Sequence, residues 1–330
     1  MNSSIKISIV SGGAGFIGTN LIQKLLIENR HVVILDSMIR GSKKNLEFFN
    51  IADNPNVTVL ICDCSDPLQI ECASERILEL GVPDELWHLA ANSDIPAGVE
   101  NPAVDLKDTF MTTFHLLNLM KNCNIDILHF ASSSAIYGDH GDNVLAENTG
   151  PYLPISNYGA MKLASEALIS SAFESFLKKA NIFRFPNVVG IPATHGVILD
   201  FINKLKVNNT RLDVLGDGSQ MKSYLHVSDL LEAMFLVRSL DFFGKAQVLN
   251  VGPIDSGVTV SWIAKKVVEH ISPKAEIFYG SGNKGWVGDV PKFSYSTDLI
   301  QSYGWKPKLS SQESIILAIQ EIDYALNASS

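Results

Sequence analysis

Residues 5–18 read IKISIVSGGAGFIG. The apolar run at residues 5–10 predicts a buried strand, and over residues 16–29 apolar side chains recur at helical spacing. Glycines fill the turn between these two segments. A strand, a glycine-rich turn and a helix in this order predict a dinucleotide-binding unit.

Gly12, Gly15 and Gly18 follow one another at intervals of three in this turn. Glycine permits the tight turn, lets the backbone approach a pyrophosphate and lets the helix pack closely on the strand. The first helical residues, Phe16 and Ile17, add free N–H groups and the partial positive charge of a helix N-terminus. These five residues are predicted to bind the cofactor.

The next predicted strand, residues 31–35, ends at Asp36. A carboxylate at this place can accept hydrogen bonds from the adenosine ribose hydroxyls and repels a 2′-phosphate. The cofactor is therefore predicted to be NAD. Arg40 is a nearby positive charge that keeps NADP open as the alternative.

Short apolar runs continue to alternate with helical patterns further along the chain. The runs lie at residues 57–61, 85–89, 127–131 and 181–185, with longer helical patterns at 102–122 and 156–178. This alternation predicts an α/β fold, a Rossmann-type doubly wound parallel sheet with a smaller C-terminal α/β substrate lobe. We assign residues 1–185 to the NAD-binding Rossmann domain, with 226–255 returning to it, and 186–225 and 256–330 to the lobe.

Composition narrows the function classes. The chain has 330 residues, 46% of them hydrophobic, and a net charge of -9 without a long Lys/Arg run, which argues against nucleic acid as a partner. No apolar stretch approaches the about 20 residues that span a bilayer, and no secretion signal is visible, so we expect a cytoplasmic protein without membrane contact. The four cysteines fit neither a disulfide scaffold nor a paired CxxC site, and no metal is predicted, although Cys62 and Cys64 leave that alternative open.

Tyr158 and Lys162 stand four residues apart at the start of a helical pattern, so both side chains lie on one face of that helix. A tyrosine is a poor base at neutral pH, and an adjacent ammonium stabilises its phenolate. Such a pair can move a proton to or from a sugar hydroxyl. The strand at residues 127–131 runs into Ser132-Ser133-Ser134, which places hydroxyls at the sheet edge where ligands bind.

With these motifs the chain resembles the extended short-chain dehydrogenase/reductase superfamily and, within it, the NAD-dependent nucleotide-sugar epimerase/dehydratase family. The resemblance covers nearly the whole chain. Besides GGAGFIG and YxxxK, the shared features are Asp63, His88-Leu89-Ala90-Ala91, the segment 132–138, Pro186-Asn187-Val188-Val189-Gly190, Tyr224-Leu225-His226-Val227-Ser228-Asp229 and Gly288-Asp289.

The resemblance implies roles for individual residues. It makes Tyr158 the acid/base, Ser133 the hydroxyl that binds the reacting sugar oxygen, and Lys162 the residue that binds the nicotinamide ribose and lowers the tyrosine pKa. Asp63 would hold the adenine end and Asn187 a substrate phosphate. Further candidates are, for the cofactor, Cys64, Leu89, Ala90, Ala91, Ser93 and Pro186 and, for the nucleotide-sugar substrate, Ser134, Lys222 and Phe293.

The residues after Ser133 bear on the reaction. Resembling 4,6-dehydratases carry an Asp-Glu pair there and UDP-glucuronate decarboxylases a glutamate, whereas this chain has Ser134 and Ala135. The resemblance therefore implies the simplest chemistry, a 4-epimerase of the UDP-glucose/UDP-galactose type that passes through a 4-keto intermediate. A 4,6-dehydratase, a 4-oxidase and a non-catalytic NAD-binding regulatory protein remain the alternatives.

Two departures from the family pattern, at Trp286 and at Asp108-Thr109, affect the substrate and cofactor contacts. Trp286 stands where the family has a phosphate-binding arginine, and a lysine such as Lys222 supplies charge without bidentate geometry. Asp108-Thr109 replaces a common asparagine near the cofactor. Phe293 falls near a position that limits room for an N-acetyl group in related epimerases, so its bulk favours a plain hexose; the alternative is a core aromatic. His88 and His226 are interpreted as structural histidines.

By resemblance, the segments 102–122 and 156–178 are expected to form a homodimer interface.

Overall fold

The computed structural model describes residues 5–141, 143–242, 244–282 and 294–328; for Lys245 it describes the backbone and not the side chain. The strands are β1 Ile7–Ser11, β2 His31–Asp36, β3 Val57–Ile61, β4 Glu85–His88, β5 Ile127–Ser133, β6 Lys179–Phe185, β7 Asn187–Val189, β8 Arg211–Val214, β9 Met221–Lys222, β10 Tyr224–His226, β11 Lys245–Asn250, β12 Val258–Thr259 and β13 Glu276–Tyr279. The α-helices are α1 Phe16–Ile27, α2 Lys43–Phe48, α3 Pro67–Leu80, α4 Ile95–Glu100, α5 Pro102–Asp105, α6 Thr112–Asn122, α7 Asn157–Phe173, α8 Val197–Val207, α9 Val227–Ser239, α10 Val260–Ile271, α11 Asp298–Ser302 and α12 Ser311–Ala328.

Seven strands form one sheet in the order β11-β6-β5-β4-β1-β2-β3. β1 pairs in parallel with β2 on one side and with β4 on the other, so the strand order reverses beside β1. In an open parallel sheet, ligands bind at the carboxyl ends of the strands around such a reversal. The predicted fold class, a doubly wound parallel α/β sheet, is confirmed.

The central strands are buried because helices cover both faces of a parallel sheet. All five residues of β1 are buried, as are the last five of β2. Side chains from β1, β2, β4, β5 and β6 pack with those of α3, α6 and α7 in one core cluster, which includes Ile9, Leu35, Ile77, Leu116, Phe130 and Ile169.

The chain divides into two compact units. The first contains the residues up to Ile136, Ser156–Arg184 and Phe235–Leu249, and thus the seven-stranded sheet apart from the last residue of β6 and of β11. The second contains Tyr137–Ile155, Phe185–Met234 and the chain from Asn250 onward. It has its own core, in which α8, α10 and α12 pack together through residues such as Phe201, Val267 and Ile319.

The two long helical patterns predicted from the sequence are resolved into shorter elements. Residues 102–122 form α5, a π-helical turn at Leu106–Met111 and α6, and Asn101 caps the first of these at Ala103 N. The helix at residues 156–178 ends at Phe173, and Ser156 is its N-cap, accepting a hydrogen bond from Gly159 N. No helix within the described ranges combines the length and the apolar character needed to cross a membrane.

Candidate active site

The glycine turn leaves no room for side chains at two of its positions. Gly12 has φ of +71°, and a Cβ built on it would lie 2.8 Å from Ala90 N. A Cβ on Gly18 would lie only 2.3 Å from Gly12 O, in the segment where α1 passes over the turn. Gly15 caps α1 without a side-chain hydrogen bond, and the first turn of the helix holds no acidic residue. The turn therefore presents a close backbone and a helix N-terminus, which fit a pyrophosphate.

Asp36 ends β2 beside this turn, and its carboxylate is buried. One oxygen accepts from Ala14 N and the other from Met38 N, each at 2.9 Å. Burial raises the pKa of this carboxyl, and the two backbone hydrogen bonds oppose that shift. Gly41 passes close by, since a Cβ there would lie 2.8 Å from both carboxylate oxygens. The carboxylate is thus fixed at the edge of the turn.

Arg40, the residue that left NADP open, forms an ion pair with Asp94 in which Nη2 lies 2.7 Å from a carboxylate oxygen. The positive charge beside Asp36 is therefore matched by a carboxylate of the first unit. This pairing favours the interpretation in which Asp36, rather than Arg40, selects the cofactor.

Asp36→Asn is expected to weaken NAD binding about tenfold and to narrow the preference for NAD over NADP, because the substitution removes the charge that repels a 2′-phosphate. The dissociation constants of NADH and NADPH, measured by quenching of tryptophan fluorescence, check this. Asp53→Asn removes a carboxylate elsewhere in the same unit and serves as the control. An unchanged preference in Asp36→Asn would contradict the assignment.

The end of β3 adjoins this region, since Cys62 N donates to Asp36 O at 2.9 Å. Asp63 follows and accepts hydrogen bonds from Ser65 and from Lys107 Nζ, the last at 3.0 Å. Burial raises the pKa of Asp63, but the Ser65 bonds and the Lys107 ammonium outweigh it and lower the pKa overall. The Cys64 thiol is buried beside Asp63. Lys107 was not predicted, because it is distant in sequence.

The end of β4 is tied to the glycine turn through a buried histidine. His88 shares hydrogen bonds with the hydroxyls of Ser11 at 3.0 Å and Thr113 at 2.9 Å. Burial, with the nearby Lys162 charge, holds the pKa of His88 well below its usual range, so the ring is neutral. Leu89 N donates to Ser11 O at 3.1 Å, which brings the predicted loop residues Leu89, Ala90, Ala91 and Ser93 to the edge where β1 ends.

Lys162 and Tyr158 lie at the carboxyl end of β5. The Lys162 side chain is buried, its ammonium donates to Ala131 O at 2.6 Å, and it lies 4.7 Å from the centre of the Phe130 ring. The same ammonium is 5.8 Å from the centre of the Tyr158 ring. Burial lowers the pKa of Lys162 to about 7.

Tyr158 lies beside Ser133, the last residue of β5. Burial raises the pKa of Tyr158 to about 12, a hydrogen bond with the Ser133 hydroxyl lowers it, and the Asp105 charge raises it. Ser133 also accepts a hydrogen bond from Ala135 N at 3.1 Å. The structure therefore brings together the predicted hydroxyl, phenol and ammonium in the unit that carries the glycine turn. Asp105 gave no signal in the sequence, because a single acid in a helical pattern resembles any surface residue.

The remaining predicted substrate residues occupy other elements. Ser134 opens a 3₁₀ turn directly after β5. In the second unit, Asn187 follows Pro186 and begins β7, which pairs in parallel with β10. Lys222 ends β9, which pairs antiparallel with β12. Phe293 lies outside the described residues, as do Trp286 and Gly288-Asp289.

Comparisons with known proteins agree with this arrangement. The sequence profile of the NAD dependent epimerase/dehydratase family matches residues 8–252. A putative UDP-glucose 4-epimerase of Methanocaldococcus jannaschii is 29% identical over 312 residues, which cover 93% of this chain and 95% of that protein. UDP-glucuronic acid decarboxylase 4 of Arabidopsis thaliana is 26% identical over 321 residues, which cover 95% of this chain and 68% of that protein.

A solved structure has the same fold. The UDP-glucose 4-epimerase of Thermus thermophilus in complex with NAD superposes with a TM-score of 0.83 and 28% identity, and the match covers 97% of this chain and 99% of that one. The profile match spans the glycine turn, Asp36, Ser133, Tyr158 and Lys162. The protein is an NAD-dependent enzyme, and the chain belongs to the NAD-dependent epimerase/dehydratase family.

Proposed function

We propose that the protein is a nucleotide-sugar 4-epimerase that interconverts UDP-glucose and UDP-galactose. The observation that carries this proposal is the group formed by Ser133, Tyr158 and Lys162. In the sequence, Ser133 is followed directly by Ser134 and Ala135. Neither of these last two can act as a carboxylate acid or base. The group can move one proton at one hydroxyl, which is what 4-epimerisation requires.

In the proposed reaction, Tyr158 removes the proton of the C4 hydroxyl and Ser133 hydrogen-bonds the C4 oxygen. When bound by the glycine turn, Asp36 and Lys162, NAD would supply the hydride acceptor and donor for C4, and return of the hydride to the opposite face of the 4-keto sugar would invert that carbon. Tyr158 then returns its proton to the C4 oxygen. The proton returns to the oxygen and the hydride to the carbon that it left, so the reaction would need no net oxidant or reductant.

Lys162 has two roles in this proposal. Its ammonium favours the phenolate of Tyr158, which burial otherwise disfavours. The same ammonium donates to Ala131 O in this structure, and we propose that it binds a ribose hydroxyl of the cofactor when NAD is bound. A buried lysine with a pKa near 7 responds strongly to such neighbours.

We also propose that the first unit binds NAD and the second binds the nucleotide sugar through Asn187 and Lys222. The features supporting this division are the placement of the glycine turn in the first unit and of both predicted phosphate-binding residues in the second. A cytoplasmic location is supported by the four cysteine thiols, all unpaired, because disulfides are rare in a reducing compartment. A homodimer is supported by Leu106 and Phe114, two exposed apolar side chains in the 102–122 segment.

The purified protein, incubated with UDP-galactose and no added cofactor, is expected to yield an equilibrium mixture with UDP-glucose, observed by proton NMR of the anomeric region. A 4-keto-6-deoxy product would instead identify a dehydratase, and accumulation of NADH an oxidase. Release of carbon dioxide from UDP-glucuronate would identify a decarboxylase. GDP-, CDP- and dTDP-hexoses, tested in parallel, show which nucleotide the enzyme requires in its substrate. No conversion of either UDP-hexose would overturn the proposal.

A further inference from the structure

The end of β5 is tied to α7 at three successive residues. Ala131 and Ser133 make the contacts with Lys162 and Tyr158 described above. Ser132, between them, is also buried, and its hydroxyl donates to the carboxylate of Glu166. Each residue at this strand end therefore has its own partner on the helix.

The Glu166 carboxylate is held from a second strand as well. Arg184 of β6 donates through Nη2 to one carboxylate oxygen at 2.6 Å and through Nε to the other at 3.0 Å. Both side chains are buried, with exposed fractions of 4% for Arg184 and 8% for Glu166. A bidentate guanidinium–carboxylate pair fixes direction as well as distance. Glu166 thus links α7, β5 and β6 in a single geometry.

Glu166 also lies one helical turn beyond Lys162. Residues at intervals of four share a face of the helix, so Tyr158, Lys162 and Glu166 form one row on α7. The Glu166 charge raises the pKa of Lys162 and so opposes the effect of burial.

Other titratable groups around this row come from the neighbouring elements. His88 on β4 feels the Lys162 charge and is neutral, as shown above. Arg184 on β6 is engaged by Glu166, and Asp105 at the end of α5 acts on Tyr158. Of these three groups Asp105 is the acid, and its charge acts on Tyr158, whereas the charge of Glu166 acts on Lys162.

We propose that Glu166 is a positioning residue of the reaction, which keeps α7 in register with Ser133 and supplies the counter-charge for the Lys162 ammonium. The proposal rests on the function proposed above, because it assigns Glu166 a part in the work of Lys162 and Tyr158. Glu166 itself touches neither sugar nor cofactor in this role. It acts through Tyr158 and Lys162, the two residues proposed to contact them.

The direct test is a titration of Lys162 in the purified protein, with lysine labelled at ¹³Cε and the signal assigned by its absence from Lys162→Met. In Glu166→Gln, the midpoint is expected to fall by about one pH unit, because a negative charge one turn away is lost. Glu174→Gln, which removes an exposed carboxylate at the end of α7, is expected to leave the midpoint unchanged. Ser132→Ala, which keeps the charge, should do the same.

Glu166→Gln leaves Arg184 buried without its anion, so this variant can fail to fold. Glu166→Gln/Arg184→Gln replaces the pair by two neutral amides and is expected to fold. Its downward shift should be smaller than in Glu166→Gln, because the lost guanidinium charge offsets part of the effect, while the carboxylate is the charge that shares the helix face of Lys162. An unchanged midpoint in the folded double variant would overturn the proposal.

A kinetic measurement separates positioning from the proposed reaction itself. If activity requires the Lys162 ammonium, its loss with rising pH follows the lysine, so the alkaline limb of kcat/KM should move to lower pH in the double variant. Ser132→Ala should instead lower kcat about tenfold without moving that limb, since it removes a contact and keeps the charge. The titration needs no substrate. Failure of the UDP-hexose assay would therefore leave the Glu166 result standing.

Discussion

Tyr158→Phe is expected to lower kcat for UDP-galactose conversion about 1,000-fold, while NAD binding stays within a factor of about three, because the change removes one proton-transfer group and little else. The phenol is the group beside Ser133 that can take the C4 proton, and the ring itself is kept. Initial rates by coupled assay and the NADH dissociation constant measure the two effects separately.

Tyr324→Phe is the matched control, because it makes the same chemical change at an exposed position on α12. Its rate should equal that of the unmodified protein. A Tyr158→Phe protein that retains more than about a tenth of the rate would show that another group moves the proton.

Gly18→Ala is expected to reduce NAD affinity at least about 100-fold, a loss of about 2.8 kcal/mol or more. The added Cβ would lie 2.3 Å from Gly12 O and 2.7 Å from Gly13 Cα, so α1 must move away from the turn. That movement would displace the helix N-terminus from the position in which we propose that it binds the pyrophosphate. The cofactor content of the purified protein, released by acid and quantified by absorbance, measures the loss.

Gly150→Ala controls for the general effect of a glycine replacement, since a Cβ there meets no atom within 4 Å and the residue does not have a left-handed φ. This variant should carry as much NAD as the unmodified protein. Normal cofactor content in Gly18→Ala would contradict the role assigned to the turn.

The fold of the first unit could be predicted because its signals are local. The strand at residues 57–61, the glycine turn and Asp36 lie within short stretches whose periodicity and turn chemistry can be interpreted one segment at a time. Parallel pairing of the alternating strands then follows from general rules of α/β topology. The structure confirmed the sheet and its strand order around β1.

Long-range partners could not be predicted in this way. Lys107 beside Asp63 and Asp94 beside Arg40 depend on how distant loops meet at the sheet edge, which no local pattern encodes. The π-helical turn at Leu106–Met111 interrupts a segment whose apolar spacing resembles one continuous helix. Strand β11 lies next to β6 in the sheet although the two strands are far apart in sequence, so no local pattern could predict their pairing.

Glu166 shows a signal that was present but ambiguous. It continues the four-residue spacing of Tyr158 and Lys162, yet an acid four residues after a lysine is common on solvent-exposed helices. Only the placement of Arg184 and Ser132 around it distinguishes a buried anchor from a surface pair. The four-residue spacing of Tyr158 and Lys162 was visible in the sequence, whereas the contacts that hold this row of α7 against β5 and β6 were not.

Hydride transfer at C4 of a UDP-hexose by a resident NAD is the central step of the proposed function. The measurement that tests it most directly is the UDP-galactose conversion run with substrate deuterated at C4, with no added cofactor and with the product analysed by NMR and mass spectrometry. We expect UDP-glucose that keeps its deuterium at C4, because the hydride leaves and returns within one site. Loss of the deuterium to solvent, or no UDP-glucose at all, would contradict hydride transfer at C4 as the central step.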